Sequence, residues 1–108
     1  MKQLTSVDDF NSFIEQSDAC IVYFSHADCG VCTVLKPRIT EMCVHHFPLL
    51  KMAYADTVLY PEIAGQKGVF TVPVVLVFFE GREYLRVARN FSIPGFQKQI
   101  ERYYRMMF

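Results

Sequence analysis

The sequence has no excess of charge of either sign and no long apolar run. Its 108 residues include eleven acidic and eleven basic side chains, and 52% of them are apolar. This balance excludes a disordered or highly charged chain. No apolar stretch approaches the ~20 residues of a membrane helix, and the first residues lack the hydrophobic segment of a signal peptide. We therefore expect a soluble, cytoplasmic protein that does not enter a membrane.

Cysteine is also scarce, because the chain has only four. Four are too few to hold a small domain together by disulfides, and a core this apolar does not need them. Cys29 and Cys32 are separated by two residues, whereas Cys20 and Cys43 stand alone at predicted core positions. A close pair in the cytosol indicates redox chemistry or a metal. For the two isolated cysteines we expect burial rather than reactivity.

The hydrophobic pattern alternates between helix and strand periods, and there is no repeat, linker or low-complexity stretch. A single domain over residues 1–108 is therefore expected. Its predicted order is αβαβαββα, with helices at 6–18, 30–46, 60–66 and 92–107 and strands at 20–24, 49–55, 72–79 and 84–87. The run 80–83 predicts a turn between two antiparallel strands. The fold class is therefore α/β, a mixed sheet of about four to five strands with helices on both faces.

The predicted helix 30–46 follows directly after a buried strand and begins beside the cysteine pair. Pro37 lies inside it and should bend it. The apolar stripe expected to be buried consists of Val31, Val34, Leu35, Ile39, Met42, Cys43 and His46.

Cys29 and Cys32 have the spacing that thiol–disulfide exchange requires. Exchange needs a thiolate nucleophile and a second thiol close enough to displace the resulting mixed disulfide. Cys29 precedes the first helical turn, where unpaired backbone N–H groups and the positive end of the helix dipole favour a negative sulfur. Cys32, one turn further, should be more covered. We therefore predict that Cys29 is the nucleophile and Cys32 the resolving thiol.

Several features in register make the chain resemble the thioredoxin-like family over nearly its whole length. They are the Cys29-Gly30-Val31-Cys32 motif after a central strand, Pro37 in the following helix, Thr71-Val72-Pro73 before the next long strand, and the hairpin glycine Gly81. The resemblance implies the thioredoxin fold and thiol–disulfide oxidoreductase activity.

The resemblance also implies a substrate-binding role for Gly30, Val31, Val72 and Pro73. A cis bond before Pro73 would place this loop beside the dithiol, where the backbone of Val72 can pair with an extended substrate peptide. The alternative is that Pro73 merely begins a strand.

The chain departs from thioredoxins proper around the motif. Those proteins usually carry Trp before the first cysteine and Pro after the motif glycine, where this chain has Asp28 and Val31. Their buried Asp, the proton acceptor for the resolving thiol, corresponds to Tyr23, and a tyrosine with an unperturbed pKa near ~10 is a poor base at neutral pH. Ungapped counting places Arg89 where the family often has glycine. In that register the Arg89 guanidinium would favour the Cys29 thiolate and recruit acidic partners.

His26 and Asp28 flank the predicted nucleophile and act on its pKa in opposite directions. A protonated His26 would stabilise the thiolate, and Asp28 would do the reverse. The alternative, that His26 is an ordinary surface residue, stays open.

A zinc site competes with the redox interpretation, since His45 and His46 follow the cysteine pair. A structural zinc needs four converging ligands, and adjacent histidines on a helix point about 100° apart. An iron–sulfur site would need further cysteines or a thiol ligand shared across a dimer. We therefore expect no metal and no bound cofactor.

Basic residues are concentrated near the end of the chain. Residues 1–81 carry five basic and nine acidic side chains, whereas 82–108 carry six basic and two acidic ones. The six are Arg82, Arg86, Arg89, Lys98, Arg102 and Arg105. They lack a nucleic-acid motif, so we expect a solvated surface and no nucleic-acid partner, with docking of an acidic protein as the alternative.

These patterns together predict a monomeric, cytosolic thiol–disulfide oxidoreductase. It would reduce disulfides in proteins or small molecules and be recharged by a thioredoxin reductase or a small thiol. The alternative is a non-catalytic thioredoxin-like module that binds peptides or proteins while its dithiol is slow or idle.

Overall fold

The computed structural model describes residues 1–89 and 91–108 and places them around a five-stranded sheet. The strands are β1 (Lys2–Leu4), β2 (Ala19–Ser25), β3 (Lys51–Asp56), β4 (Val74–Phe79) and β5 (Arg82–Ala88). The helices are α1 (Val7–Glu15), α2 (Gly30–His46), α3 (Pro61–Gln66) and α4 (Ile93–Met107). In these ranges no helix is both long and apolar enough to cross a membrane.

Strand β2 lies in the middle of the sheet, whose order is β1-β3-β2-β4-β5. Strands β1, β3 and β2 are parallel, while β4 is antiparallel to β2 and β5 to β4. Every residue of β2 is buried, as its continuous apolar sequence predicts for a strand covered on both faces. The predicted α/β class with a mixed sheet is confirmed.

Each face of the sheet carries its own apolar core. On one face Phe10 of α1 packs its ring 6.3 Å from Phe24 and 6.0 Å from Phe78, measured between ring centroids. On the other face Ile39 of α2 and Ile100 of α4 are fully buried in a second cluster. The helices therefore cover both faces, as predicted, and α2 is held against the sheet by its own buried side chains.

The sequence analysis missed one strand, and it placed the start of another too early. Strand β1 was missed, because it has three residues and only Leu4 is buried, which leaves no alternation to detect. Strand β3 begins at Lys51 and not at residue 49. The N–H of Leu49 donates to the Tyr104 hydroxyl at 3.2 Å, and the N–H of Leu50 donates to the Phe47 carbonyl at 3.0 Å, so both groups are used outside the sheet.

Helix α2 has the predicted bounds and continues through Pro37, but its predicted buried stripe is wrong in part. Val34 is 64% exposed and His46 is exposed, whereas Cys32 is 2% exposed. The buried face of α2 includes positions 32, 39 and 43, which belong to the second core cluster. Val31 and Val34 lie off this face, and the helix presents them to solvent.

The β4–β5 hairpin closes through two residues with positive φ, Glu80 at 52° and Gly81 at 79°. Left-handed values at both central positions are typical of the tight turns whose twist matches that of paired strands. Glycine adopts this conformation without a steric penalty. The predicted turn is confirmed, although β5 begins at Arg82, two residues earlier than predicted.

Candidate functional site

Cys29 and Cys32 form a disulfide at the start of α2, with their Cα atoms 5.2 Å apart. Cys29 is the N-cap of the helix, and its sulfur accepts the backbone N–H of Cys32 at 3.2 Å. Cys29 is partly exposed, whereas Cys32 is 2% exposed. The first sulfur therefore faces incoming molecules, and the second lies behind it in the core.

The loop that carries Cys29 is held from both sides by backbone hydrogen bonds. The N–H of Cys29 donates to the His26 carbonyl at 3.2 Å. Behind it, the N–H of Thr57 donates to the carbonyl of Ser25 at 2.9 Å, which ties the end of β2 to the end of β3. The dithiol is thus attached to the sheet edge where these two parallel strands end.

His26 and Asp28 precede Cys29 on the loop after β2, and the His26 imidazole has a local partner. The backbone N–H of Asp28 donates to Nδ1 of His26 at 3.2 Å. His26 is partly buried, and Asp28 is exposed. The hydrogen bond occupies Nδ1 and leaves Nε2 as the only ring nitrogen free to meet a solute.

Tyr23 lies directly beneath Cys32. Its side chain is fully buried, and its hydroxyl donates to the Cys32 carbonyl at 2.9 Å. Burial, with a smaller contribution from Tyr54, raises the pKa of Tyr23 to about 12. The hydroxyl is therefore protonated at neutral pH and acts as a hydrogen-bond donor, not as a base.

A second tyrosine and a lysine extend this support under α2. Tyr54 is the register partner of Tyr23 on β3, and the two rings stack with centroids 6.3 Å apart. The ammonium of Lys36 lies 4.5 Å from the centroid of the Tyr54 ring, within the range of a cation–π interaction. The first two turns of α2 therefore contact the sheet through a tyrosine pair.

The Val72–Pro73 bond is cis, and β4 begins only at Val74, so Pro73 precedes the strand. Pro73 is buried, while the partly buried Val72 packs against the same core cluster as Cys29. The loop before β4 and the start of α2 thus meet at one end of the sheet, as the resemblance implied.

Two grooves border this end of the sheet. The first groove, of about 440 Å³, lies beside the cis-proline loop and is lined by His26, Thr57, Pro61, Ala64, Gly65, Val69, Phe70, Thr71 and Val72. The second groove, of about 450 Å³, lies along α2 and is lined by Gly30, Val31, Val34, Leu35, Arg38, Arg89 and Phe91. The structure therefore places Arg89 beside the first turn of the dithiol helix.

The groove residues that the sequence analysis missed include Arg38, Phe70 and Phe91. Phe70 is 88% exposed, and a large apolar side chain in a predicted loop is the signal that points to it. Arg38 and Phe91 carry no such signal, because they are ordinary residues whose significance comes from being brought together across the fold.

The isolated cysteines are buried, as predicted. Desolvation raises the pKa of Cys43 to about 12. It also raises the pKa of Cys20 to about 12, although a hydrogen bond with Ser17 and the charge of Lys51 act in the opposite direction. Both side chains therefore stay neutral thiols at physiological pH, out of contact with solvent.

His45 and His46 lie in the last turn of α2, at the opposite end from the cysteines. The thirteen positions from Cys32 to His45 correspond to about 20 Å of helix at about 1.5 Å per residue. In residues 1–89 and 91–108, no three His, Cys, Asp or Glu side chains converge as metal ligands would.

Comparison with known proteins agrees with the fold and identifies the family. The family model described as Thioredoxin matches residues 2–102. Thioredoxin-like protein YdfQ of Bacillus subtilis is 33% identical over 109 residues, which cover 98% of this chain and 96% of that protein. The chain therefore belongs to the thioredoxin family. Together with its bonded cysteine pair, this supports thiol–disulfide oxidoreductase chemistry in general.

Solved thioredoxins have the same architecture. Thioredoxin 1 of Thermosipho africanus is 36% identical and superposes with a TM-score of 0.74, covering 81% of this chain and 96% of that one. The thioredoxin of Plasmodium falciparum is 23% identical and superposes with a TM-score of 0.83, covering 95% and 99%. The predicted thioredoxin fold is confirmed.

Alkylation of the reduced native protein should separate the four cysteines. With iodoacetamide at pH 8, we expect Cys29 to react first and Cys20 and Cys43 to stay unmodified, because thiols with a pKa of about 12 have almost no thiolate at that pH. Peptide mass spectrometry locates the label, and labelling in denaturant is the control for Cys20 and Cys43. Labelling of native Cys43 as fast as Cys29 contradicts the assignment.

Removal of the Tyr23 hydroxyl should weaken the support of the dithiol helix. Tyr23→Phe deletes one buried hydrogen bond to the Cys32 carbonyl, so we expect the free energy of unfolding in urea to fall by about 1 kcal/mol. Tyr84→Phe, at an exposed ring, is the matched control and should leave it nearly unchanged. Equal effects of the two substitutions would show that the Tyr23 hydrogen bond contributes nothing.

Proposed function

We propose that the protein reduces disulfides in proteins or small molecules through the Cys29–Cys32 pair. The observation that carries this proposal is the unequal exposure of two bonded sulfurs at a helix N-terminus, with Cys29 accessible and Cys32 covered. The helix N-terminus favours the thiolate of Cys29, because its N–H groups and dipole stabilise a negative sulfur.

The reaction transfers two electrons in two displacements. The Cys29 thiolate attacks one sulfur of the substrate disulfide, forms a mixed disulfide, and releases the other substrate sulfur as a thiolate. Cys32 then loses its proton, attacks the Cys29 sulfur, and releases the second substrate thiol. The products are a reduced substrate and the Cys29–Cys32 disulfide, which a thioredoxin reductase or a small thiol reduces again.

The groove around the dithiol supplies the substrate contacts in this proposal. Gly30 and Val31, which follow Cys29, line the second groove, and Val72, which precedes Pro73, lines the first. The backbone of Val72 is offered to an extended substrate segment, which would pair with it as an added strand does.

The resolving step in this proposal uses no buried base. Tyr23 occupies the position under Cys32 and stays protonated, so the Cys32 proton passes to water or to the departing substrate thiolate. The two cysteine sulfurs supply both electrons that the substrate disulfide receives. We therefore further propose that no bound cofactor is needed. The protein would act as a monomer in the cytoplasm.

Trapping of the mixed disulfide tests the assigned roles. Cys32→Ser removes the resolving thiol, so we expect this variant to accumulate covalent complexes with substrate that dithiothreitol releases. Non-reducing electrophoresis after incubation with an oxidised protein substrate measures them. Cys29→Ser is the matched control and should trap far less, because the buried Cys32 is left as the only thiol of the pair. Equal trapping by both variants contradicts the roles of the two cysteines.

A non-catalytic binding module is the second candidate. It is favoured by the protonated tyrosine beneath a covered Cys32, since both features slow the loss of the resolving proton.

Turnover distinguishes the two candidates. With dithiothreitol as recycling reductant, we expect the wild-type chain to accelerate reduction of a protein disulfide well above the rate of the Cys29→Ser/Cys32→Ser double variant. Absorbance or turbidity of the reduced substrate measures the rate. If the two proteins give the same rate, the chain is a binding module and not an oxidoreductase.

A further inference from the structure

The second groove contains two arginines that no described carboxylate neutralises. Arg38 of α2 and Arg89, which follows β5, are both exposed and both line this groove. The ion pairs formed within residues 1–89 and 91–108 use other cations, among them Arg86 and Arg105. Two like charges therefore lie along one groove, and within residues 1–89 and 91–108 neither forms an ion pair.

The remaining lining of the groove is apolar and open to solvent. Val31 is 47% exposed and Val34 is 64% exposed, so both valine side chains are open to contact from solvent. No acidic side chain lines the groove. Its surface thus combines an apolar wall with two positive charges, and a segment that combines apolar and acidic side chains complements it.

The two arginines lie at different distances from the dithiol. Arg89 also lines a third cavity, which it shares with Thr71. It therefore lies between the cis-proline loop and the Gly30-Val31 segment. Arg38 follows Cys29 by nine positions, which corresponds to about 13 Å of helix. An extended chain at about 3.3 Å per residue covers that distance in about four residues. The groove therefore has the length of a short polypeptide segment.

We propose that this groove selects disulfides flanked by acidic polypeptide. The proposal rests on the disulfide-reductase function above and names its substrate class. Asp or Glu side chains within about four residues of the attacked cysteine pair with Arg89 and Arg38, and neighbouring apolar side chains contact Val31 and Val34. Guanidinium groups suit this task because they bind carboxylates through two parallel hydrogen bonds.

Three matched peptides test the proposal. Each has the same sequence and one cysteine blocked as a mixed disulfide with 2-mercaptoethanol, and the flanking positions carry Glu, Gln or Lys. Second-order rate constants are measured with the prereduced protein. We expect the rate constants to decrease from the Glu peptide to the Gln peptide to the Lys peptide. The Glu peptide should react about 2- to 30-fold faster than the Gln peptide, which is the range that two exposed ion pairs allow. High salt should bring this ratio towards one.

Charge-neutralising variants assign the effect to the groove. Arg38→Gln/Arg89→Gln should reduce the Glu-to-Gln ratio nearly to one. Lys98→Gln/Arg102→Gln removes the same charge from exposed positions of α4 outside the groove lining, and it should keep the wild-type ratio. The ratio is the readout because it cancels any change in the reactivity of Cys29 that the loss of a nearby guanidinium causes.

The other outcomes overturn the proposal in distinguishable ways. Reduction of all three peptides at one rate removes the groove assignment and leaves the reductase function standing. No reduction of any peptide removes both. If the Glu-to-Gln ratio also falls to one in the Lys98→Gln/Arg102→Gln control, the preference comes from net charge alone. The rate of glutathione disulfide reduction is the last comparison. If the Arg38→Gln/Arg89→Gln variant slows it as much as it slows reduction of the Glu peptide, the groove binds a small anion and not a polypeptide.

Discussion

The hydrogen bond from Tyr23 to the Cys32 carbonyl joins the centre of the sheet to the first turn of α2. Strand β2 is buried along its whole length, and the Tyr23 side chain is fully buried with it. Its hydroxyl needs a partner there, because an unsatisfied buried hydroxyl is costly. The carbonyl of Cys32 is that partner, and the bond determines how the covered cysteine lies under the accessible one.

Burial explains why two of the four cysteines are not placed for exchange. Cys29 caps α2 at the surface, whereas Cys20 and Cys43 are enclosed in the two cores and stay protonated. Reactivity of a thiol follows from thiolate character and access together. The fold therefore separates cysteines by environment, since the chemical group is identical at all four positions.

The surface around the dithiol is divided between two kinds of groove. The groove beside the cis-proline loop includes the exposed Phe70, and the groove along α2 includes Arg38 and Arg89. Two other C-terminal cations have local partners. Arg86 binds Glu83 and the carbonyl of Lys67, which connects β5 to the segment after α3. Arg105 lies 3.8 Å from a carboxylate oxygen of Glu101 within α4.

The features that the sequence alone predicted depend on residues close together in the chain. The apolar run of β2, the cap and bounds of α2, the hairpin at Gly81 and the spacing of Cys29 and Cys32 each depend on neighbouring residues, so a linear pattern contains them. The tertiary structure decided the rest. The three-residue β1, which pairs with β3, and the meeting of Arg38 with Arg89 both depend on segments far apart in the chain. No periodicity encodes such contacts, because packing between distant elements creates them.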